Sequence, residues 1–174
     1  MKFPLQKIKL KDGELVLRTA SLRDARALNK IIQEQGVNDF LLLIPPVSVA
    51  SAVKRIKELN KSKKNAWIVC ESNGEVVGSV DLRFDKGRMS HVSGFGISFT
   101  KKAHGTGLAA LTLSKAFAFA KRKGIELISS SVINANKRAR VFYKKLGFKE
   151  VGVLKKHFKT GGKYLDVVLI VKKL

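Results

Sequence analysis

Gly105 and Gly107 bracket a single threonine in the run Lys102, Ala103, His104, Gly105, Thr106, Gly107, just ahead of the apolar stretch that starts at Leu108. A strand that opens into such a loop and then a helix leaves several backbone N–H groups unpaired and aimed one way. With the positive end of the helix dipole they form an anion site, because glycine lets the backbone approach without a side chain in the way. Lys101 and Lys102 add positive charge there. Taken alone, two glycines before a helix also describe an ordinary structural turn. The GxxxxGK[ST] phosphate loop is absent and no GxGxxG follows the first strand, so the nucleotide motifs of kinases and dehydrogenases do not apply.

Farther along, Asn136 and Tyr143 stand seven positions apart, which places them within ~20° of each other on a helix face. Ala139 between them leaves a shallow groove. Asn136 also suits a helix N-cap, and Tyr143 a core aromatic with its hydroxyl at the rim. The remaining reactive side chains point to less. Cys70 is the single cysteine and lies in the apolar run AWIVC, where a small buried hydrophobe is expected rather than a reactive thiol. His91, His104 and His157 show no metal-ligand spacing, so no metal is expected.

These residues must be positioned by an alternation of strands and helices. Glu14 to Ser21 starts as an alternating strand, and Ser21 caps a helix in which Leu22, Ala25, Leu28, Ile31 and Ile32 share one face, ending at Gly36. After a Pro45–Pro46 break, Ser48 caps a second amphipathic helix from Val49. Three strands follow, NAWIVCES, EVVGSVDLRF and MSHVSGFGISF, divided by Asn73–Gly74 and Asp85–Lys86–Gly87. Gly94 and Gly96 inside the third strand suggest a bulge or the close approach of another backbone or a ligand. A largely apolar helix from about Gly105 to Lys123 comes next, with Ala109, Ala110, Leu111, Leu113 and Ala116 to Ala120 expected against a sheet. IELISSSVI reads as a strand, NKRARVFYKKLGF as a short helix, and KEVGVLKKHF and KYLDVVLIVKK as a final strand pair. The order is β α α β β β α β α β β, a mixed α/β sheet with helices on its faces.

In combination the two motifs resemble the GNAT superfamily of acetyl-CoA-dependent N-acetyltransferases. That family's loop reads [RQ]-x-x-G-x-[GA], and Lys102 to Gly107 is similar to it with lysine at the first place. Asn136 to Phe148 matches N-x-x-A-x-x-x-Y-x-K-x-G-F at every fixed position. The resemblance implies a single domain over 1–174, built on a mixed, mostly antiparallel central sheet of about seven strands with a bulged, splayed central strand and about four helices on both faces. It implies acetyl-CoA as cosubstrate. Phe95, Gly96, Ile97, Ser98 and Phe99 would meet the pantetheine amides; Lys102, Ala103, His104, Gly105, Thr106, Gly107 and Leu108 would hold the pyrophosphate. Asn136 would hydrogen-bond the cofactor arm. Tyr143 would stand near the thioester sulfur as general acid, and the backbone N–H of Ile97 or Ser98 would stabilise the oxyanion. Many relatives carry a glutamate on the splayed strand where this chain has Gly94, which removes the usual base and leaves His91, on the opposite pleat face of a regular strand, as a candidate.

Charge bears on the acceptor. The chain carries 35 Lys and Arg against 13 Asp and Glu, a net charge of +22, spread along its length. Such a field attracts polyanions and repels small polycations such as spermidine, whereas Glu34 and Asp39 are the carboxylates near the family's usual acceptor wall. The segment His157 to Leu174 is similar to the ending of family members that act on protein N-termini or polyamines. The resemblance and charge thus point to a primary amine, with a protein N-terminus or ribosomal protein close to RNA as the expected acceptor. The competing readings are a nucleic-acid-binding or regulatory module that keeps the fold without turnover, and a small-amine or polyamine acetyltransferase. Val37 to Ala52 is broken by Asp39, Pro45, Pro46 and two serines and cannot span a membrane, and Met1 to Leu15 is studded with lysines, unlike a signal peptide. A soluble, cytoplasmic protein is expected, as monomer or homodimer.

Overall fold

A computed structural model describes residues 1–11, 13–41, 48–62 and 64–174, and the Pro45–Pro46 break lies outside them. The chain begins with a strand additional to those read from the sequence. β1 (Gln6–Leu10) pairs antiparallel with β2 (Gly13–Thr19). Its lysines alternate with Ile8 and Leu10, which pack on the core, so a charged face protects an edge strand from further pairing. At the end of β2, the Ser21 N–H and hydroxyl both donate to Asp24 Oδ2, at 2.7 and 2.9 Å, and the box opens a short 3-10 turn that runs into α1 (Ala25–Gln33). α2 (Val49–Lys61) starts at Ser48, whose hydroxyl accepts the Ser51 N–H at 3.1 Å.

β3 (Asn65–Ser72) and β4 (Glu75–Phe84) are joined by Asn73–Gly74, both in the left-handed region that a two-residue hairpin turn requires. Then follow β5 (Val92–Phe99), α3 (Leu108–Arg122), β6 (Leu127–Ile133), α4 (Lys137–Lys145), β7 (Lys149–Thr160) and β8 (Lys163–Lys173). The eight strands lie in the order β1-β2-β3-β4-β5-β6-β8-β7, antiparallel throughout except for β5 beside β6. The pleat divides the core. Ala66, Leu82 and Phe95 form a cross-strand row buried with Leu113, Phe117 and Phe119 of α3, whereas Trp67 and Val69 are buried with Leu28, Ala52 and Ile56 of α1 and α2. Ala118 faces outward and departs from the expected buried set.

The feature that positions a site is the contact between β5 and β6. They pair only from Val92 opposite Leu127 to Gly94 opposite Ser129, and one residue later the Ser130 hydroxyl donates to the Phe95 carbonyl at 3.0 Å. Beyond that point the strands part. β5 itself stays in unbroken register with β4 from Gly78–Phe99 to Phe84–Ser93, so the opening arises from divergence of β5 and β6 and not from the bulge expected in β5. The glycines of β5 have a different physical reason. A Cβ on Gly96 would lie 2.5 Å from Asp81 Oδ2, because the Asp81 and Arg83 side chains lie across this strand.

Candidate functional site

The Thr100 N–H donates to the Val77 carbonyl at 2.9 Å, and the Asp85 N–H to the Val92 carbonyl at 3.1 Å. Antiparallel alternation therefore turns the backbone of Gly94, Gly96 and Ser98 towards β4 and that of Phe95, Ile97 and Phe99 towards the gap. The Phe95 carbonyl is taken by Ser130, and the Phe99 carbonyl by His104 Nε2 at 3.1 Å. Ile97, between them, lines the cavity, and its N–H and carbonyl have no backbone partner on the β6 side among the described residues.

The gap leads into a cavity of about 1240 Å³ lined from both faces of the sheet. Of the residues expected at the site, Phe95, Gly96, Ile97, Ser98, Phe99, Ala103, His104, Gly105, Gly107, Asn136 and Tyr143 line it. Lys102, Thr106 and Leu108 do not. Thr106 instead closes the loop, its hydroxyl donating to the Ala103 carbonyl at 2.8 Å. Gly105 and Gly107 both adopt φ +83°, and a Cβ on either would meet nothing within 4 Å, so the loop backbone is exposed to whatever the cavity holds. Burial, reinforced by Arg138, lowers the His104 pKa below its ordinary value and keeps the ring neutral around pH 7. His91 is exposed at the paired end of β5, where its carbonyl accepts the Glu126 and Leu127 N–H groups, and the structure does not bring it to the cavity. Strand pairing closes that end of β5, and His91 is not among the residues that line the cavity. Glu34 is also spent elsewhere, accepting the Lys101 N–H at 3.1 Å, and neither it nor Asp39 lines the cavity.

Asn136 is the N-cap of α4, its Oδ1 accepting the Ala139 N–H at 3.0 Å, which leaves the carboxamide N–H groups available. The two roles weighed from sequence are thus compatible. At the C-terminal end of α4 the Gly147 N–H donates to the Lys144 carbonyl and the Phe148 N–H to the Tyr143 carbonyl, both at 3.0 Å, with Gly147 at φ +85°. This Schellman cap folds Phe148 back beside Tyr143, ring centroids 5.6 Å apart. Phe95 packs edge-on to Tyr143 at 5.6 Å and also touches Phe117 and Phe148. With Phe142 at 5.5 Å as a third neighbour, the phenol ring is fixed by three aromatic rings, while its hydroxyl makes no hydrogen bond among the described residues and the residue borders the cavity. Burial raises its pKa well above the ordinary value, so it is a stable hydrogen-bond donor. Cys70 is buried and its thiol is pushed up to about 11 by burial, which makes it inert at neutral pH.

Sequence reasoning missed Arg55, Trp67, Asp81 and Arg83, which line the cavity on the α1/α2 side. Trp67, Asp81 and Gly96 lie in one cross-strand row. Asp81 forms ion pairs with Arg83 and, at 3.6 Å, with Arg55, whose guanidinium lies 5.1 Å from the centre of the Trp67 ring. The available signal was the carboxylate set between the apolar residues Val80 and Leu82.

The sequence pattern of the acetyltransferase (GNAT) domain family matches residues 17–169. An uncharacterised N-acetyltransferase from Methanocaldococcus jannaschii is 31% identical over 105 residues, covering 57% of this chain and 46% of that protein. The chain thus matches about half the length of this curated relative. Among solved structures, a ribosomal-protein-alanine N-acetyltransferase from Brucella melitensis superposes with a TM-score of 0.80 at 23% identity, covering 91% of this chain and 99% of that one. A spermidine N-acetyltransferase chimera derived in part from Vibrio cholerae gives a TM-score of 0.80 at 21% identity, with coverages of 90% and 93%. The shared fold therefore accommodates acceptors of different chemistry. Among the described residues no helix is long and apolar enough to cross a membrane.

Proposed function

The chain belongs to the acetyltransferase (GNAT) domain family, and on that premise we propose that residues 1–174 act as one domain that transfers the acetyl group of acetyl-CoA to a primary amine by direct attack within a ternary complex. The observation that carries this reading is the gap between β5 and β6, where the Ile97 backbone, the Gly105–Gly107 loop and the Tyr143 phenol border one cavity open to both faces. The residues fit acetyl-CoA. An unpaired strand edge at Ile97 suits the amides of pantetheine, and the glycine loop, with no side chain over it, suits a pyrophosphate.

Bound acetyl-CoA supplies a thioester, whose C–S bond breaks as the amine nitrogen forms a bond to the carbonyl carbon. The Ile97 N–H, facing the gap, serves as donor to the developing oxyanion; the Ser98 N–H faces β4. Asn136 offers its carboxamide N–H to the cofactor arm. Tyr143 faces the departing sulfur. Its phenol pKa, already ~10 in water against ~8.5 for a thiol, is raised further by burial, so full proton transfer is uphill. Tyr143 therefore assists by hydrogen bonding to the sulfur, which then takes its proton from solvent. The acceptor loses its proton to water, a small demand for an α-amine of pKa ~8 and a larger one for a lysine at ~10.4.

The finer reading, a protein N-terminus presented near RNA, is supported by the +22 charge, which favours work beside a polyanion. The test is thiol release from acetyl-CoA with peptide, amino-acid and polyamine acceptors, comparing wild type with Tyr143→Phe. We expect kcat to fall about tenfold to a hundredfold in the variant, the value of one hydrogen bond to a charged group, with little change in the KM of acetyl-CoA. No turnover with any acceptor, together with tight salt-sensitive RNA binding, would instead identify a binding module without catalysis.

A further inference from the structure

The α1/α2 side of the cavity carries a charge pattern that the transfer chemistry does not need. Asp81 projects from β4 over Gly96, one residue from the Ile97 N–H, and its side chain is 14% exposed. Arg55 reaches it from α2 across Trp67, and Arg83 from the same strand. Arg55 is 38% and Arg83 49% exposed, so their charged ends stay accessible beside the cavity. A guanidinium has five N–H donors. Arg55 meets Asp81 at 3.6 Å, beyond hydrogen-bond length, and makes no hydrogen bond among the described residues. Two guanidiniums thus face one carboxylate, a surplus of positive charge with unspent donors. A fork of this kind matches a carboxylate or phosphate, and the Arg55 guanidinium lies 5.1 Å from the centre of the Trp67 ring, within cation–π reach.

We propose that this wall selects an amine with an anionic group a few bonds from its nitrogen, the nitrogen held by Asp81 and the anion by Arg55 and Arg83. The inference rests on the acetyl-transfer reading and specifies its acceptor. Asp81 draws the nitrogen to the row that ends at Gly96, next to the Ile97 N–H. A carboxylate on the same molecule balances the excess charge of the two arginines, whereas a polyamine brings only more positive charge to them. The same chemistry is presented by a free amino acid and by a peptide N-terminus with an acidic side chain.

Steady-state assays separate these sources and test the wall. Acceptors are free α-amino acids, their carboxamides, peptides with Asp or Ala in the first two positions, and spermidine. Proteins are wild type, Arg55→Gln, Arg83→Gln and the charge-preserving Arg55→Lys. The expected result is preference of at least tenfold in kcat/KM for the anion-bearing member of a matched pair. Amino acids over their carboxamides indicate a free zwitterion, and Asp over Ala peptides an acidic N-terminus. Each Gln variant raises the acceptor KM about tenfold or more with the acetyl-CoA KM unchanged, and Arg55→Lys recovers part of the loss. Equal use of carboxamides, Ala peptides or spermidine overturns the proposal. Thermal melting with acetyl-CoA isolates the premise. If acetyl-CoA does not raise the melting temperature, the acetyl-transfer reading fails; if it does, and anion-bearing amines are neither acetylated nor bound, the acceptor proposal alone fails.

Discussion

Gly96 shows how one absent side chain arranges others. Its missing Cβ leaves the space that Asp81 fills, and a methyl there would lie 2.5 Å from Oδ2 and 3.3 Å from Cγ of a carboxylate already held by two arginines. Gly96→Ala must push that carboxylate aside. The expected cost is about 1–3 kcal/mol in stability from overpacking, with the acceptor KM raised about tenfold and the acetyl-CoA KM little changed. Denaturant melts and paired KM measurements check this, and an unaltered acceptor KM would show that Asp81 does not touch the acceptor. The glycine loop, Asn136 and Tyr143 were legible in the sequence because each belongs to a local motif whose spacing survives without knowledge of the fold. Arg55 and Asp81 were not, because they meet only through the docking of a helix on a sheet and the register of three strands.

At the scale of elements, α1 is tied to the sheet by a buried charge network. Arg18 on β2 donates to both oxygens of Asp24, at 2.7 and 2.8 Å, and to Glu71 on β3 at 2.9 Å, while Asp24 also closes the box with Ser21. Burial by itself would push the Asp24 carboxyl up, but Arg18 and Ser21 together hold it below the usual carboxylate value. A folded pKa lower than the unfolded one means that the network's contribution is complete above about pH 4 and is lost as pH falls through the folded value. Asp24→Asn leaves Arg18 partly unpaired, and the expected loss is about 3 kcal/mol at pH 7, or about 6–12 °C in Tm. The gap between wild type and variant should narrow below pH 4, and a pH-independent gap would assign the effect to the cap alone. Sequence periodicity located α1, α2, β3, β4 and β8 because caps, turn residues and alternation agree there. It missed β1, whose lysines mask a short edge strand, and it extended β5 back to Met89, where a 3-10 turn intervenes.

For the whole molecule, the sheet behaves as two halves. β1 to β5 form one antiparallel block and β6, β8 and β7 another, and the two are stitched from Val92–Leu127 to Gly94–Ser129 and by the Ser130 hydroxyl. A cosubstrate lodged in the gap would bridge the blocks, and the +22 charge would draw its phosphates towards the loop. Binding to the folded state alone contributes about 2.7 kcal/mol at a hundredfold excess over Kd, which for a chain of this size raises Tm by about 5–10 °C. CoA should produce this shift, whereas ADP, which can reach the loop but has no arm to enter the gap, should produce less. Hydrogen exchange locates the cause. The Ile97 amide faces the gap and should gain protection with CoA and not with ADP, while the Ser98 amide, turned towards β4, should change little. A CoA-induced Tm rise without slower exchange at Ile97 would mean that the nucleotide portion alone carries the binding and that the parted strands are not where the pantetheine arm lies.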